Sequence, residues 1–371
     1  MKPKKKTVKK KPIKKKKTTK KVTKKTKINK EKAIIIALII IDVFVCSCFF
    51  LFYGSKKFKT FIITTAMTTK SHKFLAKTFY SDKTIEKILS QNSVLSFETG
   101  SDATQVKIGG FDQTNYASSY EKDILEHNEN EDYKLIRFEY NGYDAFIVAI
   151  YDPKRVSLVQ SAYIGSRGQV LTEMAQTYDA IAMINAGGFR DIDAAGNVGY
   201  GNGGIAEGVV IKDGKVVSGN GYANTELAGF NNDGILQLSY TNANDAIANG
   251  MKDAVQFGPF LIVNGVSATI NGNGGWGVNP RTVLAQRKDG VVLFLVVDGN
   301  GVNNYNWSGR GGVTMNELVE ILERYGAYNA VNMDGGASTT LVVNKELLNH
   351  PCGYNSATRH QRALPNAWMF K

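Results

Sequence analysis

The sequence contains few of the residues that hold metal ions or cross-link small domains. It has three cysteines and four histidines in 371 residues. Cys46 and Cys48 lie inside an apolar run, so Cys352 is the only thiol elsewhere and no disulfide can form within the rest of the chain. No Cys-x-x-Cys or His-x-x-x-His spacing occurs. We therefore expect a domain stabilised by an ordinary apolar core, with no metal and no cofactor.

Acidic residues are almost missing from the first 32 residues. This segment holds 18 lysines and one glutamate, a net charge of +17, so the remainder carries −4 within the chain total of +13. A run of like charges cannot bury a core, and residues 1–32 are predicted to form a disordered polybasic tail. Because an apolar segment follows, we predict that the tail binds anionic membrane lipid and not nucleic acid.

Residues 33–53 form a nearly uninterrupted apolar run, and about 20 such residues cross a bilayer as a helix. The lysines before this run outnumber Lys56, Lys57 and Lys59 after it, so the positive-inside rule predicts a cytoplasmic N-terminus and an extracellular C-terminal part. The prediction is a single-pass cell-membrane protein. A cleaved signal peptide is the less favoured alternative, because the run is longer than a typical signal core.

The extracellular part divides by composition near residue 132. Residues 54–132 are rich in lysine and threonine and are predicted to form a membrane-proximal stalk with one or two helices. Residues 133–371 are predicted to form the main domain. Three dipeptides between β-rich runs predict hairpins, namely Asp213-Gly214, Asn264-Gly265 and Asp289-Gly290.

One helix is predicted over residues 314–325, where apolar residues recur at helical spacing, with Gly326 at its end. Hairpins combined with this helix predict the α+β class. The expected architecture is a mixed, largely antiparallel sheet core with flanking helices, preceded by a single transmembrane helix and the stalk.

Three apolar strands end in polar residues and glycines. Asn185 begins one such end, Asp298 a second and Asp334 a third. Since the predicted helix joins the last two strands, they should lie parallel and present both aspartates at one sheet edge. Glycines there let the backbone approach a ligand. The pattern predicts a pocket, and turns in which each Asp caps its own backbone are the alternative.

The side chains near these strand ends suit a phosphorylated sugar. Cleavage of a glycosidic bond calls for a carboxylate near the anomeric carbon, which makes Asp298 and Asp334 the candidate catalytic residues. A guanidinium grips phosphate through two hydrogen bonds, which favours Arg281 and, near the C-terminus, Arg362. The other candidate substrate-binding residues are Asn185, Gly187, Gly188, Thr314, Gly335, Gly336, Ser338 and Thr339.

Several of these candidates have a structural alternative. Thr314 and Glu317 have the spacing of a capping box, in which both side chains satisfy free amides of a helix. Trp276, Tyr305 and Trp307 can stack on sugar rings or pack on the core. The segment 191–197 has a weak similarity to a calcium loop, but Ala195 stands where an oxygen ligand is required.

Five blocks of the sequence follow each other in the order and spacing of the phosphodiester glycosidase family. They are residues 185–189, 279–282, 298–299, 312–318 and 332–338, and the similarity extends over about residues 140–371. The resemblance implies the same α+β class. It also implies a hydrolase that cleaves the bond between the anomeric carbon of a sugar and a phosphodiester, here in cell-surface glycans.

Two functions from other classes stay open on the sequence. The first is a transferase that moves a cell-wall glycopolymer with the same anion-binding residues. The second is a non-catalytic module that binds wall polysaccharide. Release of free reducing sugar separates the hydrolase from both alternatives.

Overall fold

The computed structural model describes residues 30–69, 72–110, 114–193, 195–197, 201–299, 311–353 and 355–371. The chain divides into two compact units, Met1–Ser55 and Lys56–Lys371. The lysine-rich tail up to residue 29 lies outside the described residues, so its lipid binding stays a prediction.

The first unit contains one long apolar helix, α1 (Lys30–Phe49), which continues into a wider turn over Phe50–Gly54. Helix and turn together cover 25 residues, and an 18-residue window within them has a mean hydropathy of 3.0. This length and composition are sufficient to cross a bilayer. The predicted apolar span at residues 33–53 is therefore helical.

The described residues of the second unit form seven helices and nineteen strands. The helices are α2 (Lys56–Thr68), α3 (Lys73–Phe79), α4 (Asp82–Ser90), α5 (Ser119–Leu125), α6 (Leu171–Tyr178), α7 (Ala243–Ala248) and α8 (Met315–Arg324). The strands are β1 (Ser93–Val94), β2 (Tyr133–Tyr140), β3 (Tyr143–Ile150), β4 (Val156–Gln160), β5 (Ala182–Asn185), β6 (Val210–Lys212), β7 (Lys215–Ser218), β8 (Thr225–Asn231), β9 (Leu236–Thr241), β10 (Met251–Gln256), β11 (Phe260–Val263), β12 (Val266–Ser267), β13 (Ile270–Asn271), β14 (Arg281–Arg287), β15 (Val292–Val297), β16 (Ala327–Asn332), β17 (Leu341–Val343), β18 (Glu346–Leu347) and β19 (Asn366–Phe370).

The strands build three main sheets and one two-stranded ribbon. The largest sheet has the order β12-β11-β16-β14-β15-β3-β2, and the two five-stranded sheets have the orders β18-β17-β5-β19-β4 and β7-β6-β10-β8-β9. Every ladder between neighbouring strands in the described part of the chain is antiparallel. The predicted α+β class with a largely antiparallel core is confirmed.

The seven-stranded sheet is buried on both faces. On one face Phe294 belongs to a core shared with both five-stranded sheets. On the other face Leu293 and Leu295 pack in a second core with α5 and α8. Because neither face meets water, β15 has no polar side, which explains its unbroken apolar sequence. Helices α6 and α7 cover the outer faces of the five-stranded sheets.

The local turn predictions are confirmed. Asp213-Gly214 joins β6 to β7, Asn264-Gly265 joins β11 to β12, and Asp289-Gly290 lies between β14 and β15. The first two pairs have positive φ angles at both residues, 49° and 69° at the first and 53° and 77° at the second. Asn, Asp and Gly adopt this left-handed conformation at low cost, which is why they favour tight hairpins.

Helix α8 connects β15 to β16, as predicted. Both strands are antiparallel to β14, which lies between them, so β15 and β16 are parallel to each other. The C-terminal ends of β15 and β16 and the N-terminal end of β14 therefore meet at one sheet edge. The sequence predicted the parallel pair and the common edge, but not the intervening strand.

Residues 54–132 were predicted to form a separate stalk. From Lys56 on, these residues belong to the same compact unit as the strands that follow. Helix α2 packs on α3 and α4, and β1 pairs with β13. That residue 132 separates a stalk from the catalytic domain stays a prediction.

Candidate active site

The common sheet edge brings Arg281 and Asp334 side by side. The backbone N–H of Met333 donates to the Thr282 carbonyl at 2.8 Å, and the N–H of Gly336 donates to the Pro280 carbonyl at 2.9 Å. These two hydrogen bonds extend the pairing of β14 and β16 past the end of β16. The site is therefore fixed by backbone register and does not depend on a flexible loop.

Asn185, at the end of β5, ties a second sheet to this edge. Its Nδ2 donates to the Asp334 carbonyl at 2.6 Å, and its Oδ1 accepts from the Thr282 hydroxyl at 2.7 Å and from the Thr340 N–H at 3.1 Å. The side chain is buried. Asn185 therefore holds the backbone of Asp334 in place, and its contact with a substrate stays a prediction.

A cavity of about 340 Å³ opens at this edge. Its lining combines three carboxylates, two arginines, the aromatic rings of Phe189, Phe257 and Trp276, and the turn after β16. The described lining residues are Thr68, Thr69, His72, Gly188, Phe189, Asp191, Glu207, Phe257, Trp276, Asn279, Pro280, Arg281, Asn332, Met333, Asp334, Gly335, Gly336, Ala337, Ser338, Cys352 and Arg362. Seven of the twelve predicted site residues thus line one cavity, namely Gly188, Arg281, Asp334, Gly335, Gly336, Ser338 and Arg362.

Arg281 is a buried cation in the cavity wall. Its Nε donates to the Val313 carbonyl at 3.2 Å, and its Nη2 donates to the carbonyls of Trp276 and Gly277 at 2.7 and 3.0 Å. No carboxylate pairs with it among the described residues. Burial lowers the pKa of Arg281 to about 9, so it stays protonated at neutral pH. A buried charge without a counter-charge is unfavourable, and an anion in the cavity would supply one.

The turn after β16 carries Asp334 and Ser338, both in the cavity lining. The N–H of Gly335 donates to Asp334 Oδ1 at 3.1 Å. Gly336 has a φ of 60°, a conformation that most side chains disfavour, and begins the short helical turn Gly336–Ser338. The Ser338 hydroxyl lines the cavity and has no hydrogen-bond partner among the residues the structure describes. The turn therefore offers a carboxylate and a hydroxyl to the same space.

Arg362 also lines the cavity, but it has a carboxylate partner. Its Nη1 and Nη2 donate to the two oxygens of Asp191 at 3.0 and 2.6 Å. The guanidinium also lies 4.7 Å from the centre of the Phe189 ring. With its charge largely balanced by Asp191, Arg362 is a weaker anion site than Arg281.

Asp298 does not line the cavity in the described part of the chain. Its Oδ1 accepts from Asn349 Nδ2 at 2.8 Å, and its Oδ2 accepts from the His350 N–H at 2.8 Å. Burial, partly offset by these hydrogen bonds, raises the pKa of Asp298. Asn349 also donates to the Thr339 carbonyl at 3.1 Å and accepts from the Leu341 N–H at 2.7 Å. Asp298 is thus linked to the turn that follows Asp334.

Three further predicted site residues lie outside the cavity lining. Thr314 caps α8: its hydroxyl accepts from the Glu317 N–H at 3.4 Å, and the Glu317 carboxylate accepts from the Thr314 N–H at 2.7 Å. The capping box is therefore present. Thr339 is buried, and its hydroxyl has no partner in the part of the chain that the structure describes. The Gly187 N–H donates to Asn366 Oδ1 at 2.9 Å.

Several lining residues were not predicted from the sequence to belong to the site. Glu207 is placed by a hydrogen bond of 2.9 Å from its N–H to the Gly188 carbonyl. The glycine-rich segment 201–204 just before it was a weak signal for this position. Thr68 and Thr69 come from the predicted stalk, and nothing in their sequence marked them. Trp276 lines the cavity, as sugar stacking requires, whereas Tyr305 and Trp307 lie outside the described residues.

The described carboxylates of the site are engaged by protein partners. Within the described ranges no group of three or more His, Cys, Asp or Glu residues has the geometry to hold a metal ion. In the segment with weak similarity to a calcium loop, Asp191 pairs with Arg362 and Asp193 accepts from the N–H groups of Ala195 and Asn197. These carboxylates are therefore used within the protein.

In this α+β domain, carboxylates and a buried arginine line the same cavity. Carboxylates of this kind occur in glycosidases, and the arginine suits an anionic group. A sequence profile of the family described as phosphodiester glycosidase matches residues 178–371, more than half of the chain. The chain belongs to the phosphodiester glycosidase family. The matched region contains Asn185, Arg281, Asp298 and Asp334, and it excludes Thr68 and Thr69.

Two curated relatives illustrate the similarity. The SPbeta prophage-derived uncharacterized protein YomE of Bacillus subtilis (strain 168) is 26% identical over 210 residues, which are 54% of this chain and 30% of that protein. The N-acetylglucosamine-1-phosphodiester alpha-N-acetylglucosaminidase of Mus musculus is 26% identical over 168 residues, 39% of this chain and 30% of that enzyme. The chain thus spans about a third of the length of these relatives.

A solved structure supports the fold. The zebrafish N-acetylglucosamine-1-phosphodiester alpha-N-acetylglucosaminidase catalytic domain, auto-inhibited by its pro-peptide, superposes with a TM-score of 0.51 at 21% identity. The match covers 66% of this chain and 85% of the zebrafish domain. At this level of identity the likeness establishes a common fold.

Proposed function

We propose that this protein is a hydrolase that cleaves the bond between the anomeric carbon of a sugar and a phosphodiester. The observation that carries the proposal is Arg281, a buried guanidinium that has no carboxylate partner within the described ranges and lines one cavity with Asp334. Family membership supports the same reaction class. A phosphodiester provides both the anion that Arg281 lacks and the sugar that a carboxylate can act on.

The reaction breaks the bond between the anomeric carbon and the phosphate oxygen. The electron pair of that bond leaves with the phosphate, which becomes a phosphomonoester, and the hydroxyl of water is added to the sugar. Phosphate is a weakly basic leaving group, so it needs charge stabilisation more than protonation. Arg281 supplies that stabilisation from the cavity wall.

Asp334 and Glu207 are the carboxylates we assign to the sugar side of the cavity. One of them takes the proton of the attacking water, or attacks the anomeric carbon and is released by water in a second step. The stereochemistry of the released sugar distinguishes the two routes. Asp298 then acts as a positioning residue, since it reaches the turn after Asp334 through Asn349.

We further propose that the enzyme is anchored in the cell membrane by α1, with a cytoplasmic N-terminus and an extracellular catalytic domain. The 25-residue apolar helix and the lysines before it support this arrangement. The substrates would then be phosphate-containing glycans of the cell surface, such as exopolysaccharide or cell-wall polymers. The lysine-rich tail would bind anionic lipid of the inner leaflet.

The test is release of free sugar from N-acetylglucosamine 1-phosphate esterified with glycerol. Wild-type protein should release free reducing sugar and glycerol phosphate. Asp334→Asn, which has nearly the same shape, should fold normally and lose about 100-fold or more of this activity, as expected for a residue that takes part in proton transfer. Glu207→Gln should also lose activity. Sugar transfer without free sugar would favour a transferase, and binding without turnover would favour a binding module.

A further inference from the structure

The end of helix α2 forms part of the cavity wall although it lies outside the region matched by the family profile. Thr68 is the last residue of α2 and Thr69 follows it, and both line the cavity with Arg281 and Asp334. The family profile begins at residue 178. This part of the wall is therefore a contribution of the N-terminal segment of this chain.

Helix α2 is firmly packed against the cavity. Ile63, Thr64 and Ala66 are buried, and the Thr64 hydroxyl accepts from Asn273 Nδ2 at 2.8 Å. Gly277 has a φ of 63°, and a Cβ at that position would come within 2.7 Å of the Thr65 Cα. The missing side chain of Gly277 lets the helix approach this loop closely.

The same loop orients Arg281. The carbonyls of Trp276 and Gly277 accept hydrogen bonds from Arg281 Nη2. The loop thus contacts α2 on one side and the buried guanidinium on the other. A ligand whose phosphate contacts Arg281 occupies the same cavity as Thr68 and Thr69.

The hydroxyl groups of these threonines are set to accept hydrogen bonds. The Thr68 hydroxyl donates its proton to the Thr65 carbonyl at 2.8 Å, and the Thr69 hydroxyl donates to the Ala66 carbonyl at 3.0 Å. Each hydroxyl has one proton and two lone pairs, and the Thr69 hydroxyl also accepts from the His72 N–H at 3.2 Å. One lone pair on Thr69 and two on Thr68 therefore have no donor among the described residues. The ionised oxygens of a phosphodiester are acceptors only and are not suitable partners. The suitable partner is a hydroxyl group.

We propose that Thr68 and Thr69 form a subsite that accepts hydrogen bonds from hydroxyl groups of the substrate, on the sugar or on the alcohol esterified to its phosphate. This subsite rests on the proposed phosphodiester substrate. It makes the N-terminal segment a specificity determinant of this chain.

The experiment measures affinity and turnover in the full-length protein with Thr68→Val, Thr69→Val and the double substitution. Valine keeps the branched shape and removes the hydroxyl. Thr78→Val is the matched control, because Thr78 is an exposed residue of α3 outside the described cavity lining. The ligands are N-acetylglucosamine 1-phosphate esterified with glycerol or with methanol. Calorimetry gives Kd, and sugar release gives KM and kcat.

We expect Kd and KM to rise about fivefold for each hydroxyl removed, the usual effect of one neutral hydrogen bond, while kcat changes little. If Kd and KM of the threonine variants rise only with the glycerol ester, the bonded hydroxyl belongs to the alcohol. If they rise with both esters, the bonded hydroxyl belongs to the sugar. The subsite would be refuted if Kd and KM of the threonine variants equalled those of wild type and of Thr78→Val, or if kcat increased. Binding without sugar release in the wild type would refute the proposed function, while the Kd values would still decide the subsite.

Discussion

Arg281→Met removes the one buried cation of the cavity wall that has no carboxylate partner among the described residues. Methionine is similarly long and has no charge. The substitution leaves the carbonyls of Trp276, Gly277 and Val313 without their donor. It also removes the anion contact that the proposed reaction requires, because the remaining lining arginine, Arg362, is paired with Asp191.

The expected loss of kcat/KM in Arg281→Met follows from the burial of the guanidinium. Burial lowers the pKa of Arg281 from 12.5 to about 9. This shift corresponds to a cost on the order of 5 kcal/mol for the charged form relative to water. A bound phosphate restores the missing counter-charge through hydrogen bonds of about 1.5–3 kcal/mol to a charged group. The variant should therefore lose about 10- to 150-fold in kcat/KM on a sugar 1-phosphodiester.

Two assays check this expectation. The first compares kcat/KM on N-acetylglucosamine 1-phosphate methyl ester with that on a neutral p-nitrophenyl glycoside, which should fall less than about threefold because it offers no anion. The second measures Tm with and without inorganic phosphate, which should stabilise the wild type and not the variant. Arg190→Met, at an exposed arginine outside the described lining, is the matched control. Equal losses on both substrates, or equal stabilisation by phosphate, would refute the role of Arg281.

Two further predictions concern Asp298 and the membrane. Asp298→Asn should place an amide donor against the donors of Asn349 and His350 and thereby shift the turn after Asp334. We therefore expect kcat to fall while KM changes little. A normal kcat would exclude the positioning role. Because burial raises the pKa of Asp298, wild-type stability should decrease relative to this variant as the pH rises above about 4, the usual pKa of an Asp, and a constant difference would contradict this. External protease on intact cells should remove residues 55–371 and spare the tail, whereas a protected C-terminal part would contradict the proposed orientation.

Local sequence determined the elements whose stability is local. The Asp213-Gly214 and Asn264-Gly265 turns adopt positive φ angles that few other residues tolerate, so they set their hairpins. Thr314 and Glu317 satisfy each other's backbone groups at the start of α8, and Gly326 follows its last turn with a φ of 72°. The apolar run of α1 is long enough to be recognised without any knowledge of its neighbours.

The sequence also predicted that the strands ending at Asp298 and Asp334 meet at one sheet edge, and it singled out Arg281 as a phosphate ligand. It could not separate ligand contacts from supporting contacts among the same residue types. Asn185 and Asp298 have side chains fully suited to a ligand, yet both are engaged by protein partners. Which partner a buried amide or carboxylate meets depends on strands and loops distant in the chain.

Tertiary packing alone decided the rest of the cavity. Glu207 enters through its pairing with Gly188, and Thr68 and Thr69 enter because α2 fits against Gly277. The intervening strand β14 brings Arg281 between β15 and β16. These contacts join segments up to about 200 residues apart, and no local periodicity or turn propensity encodes them, since they are set by the register of the sheets and the fit of one surface on another.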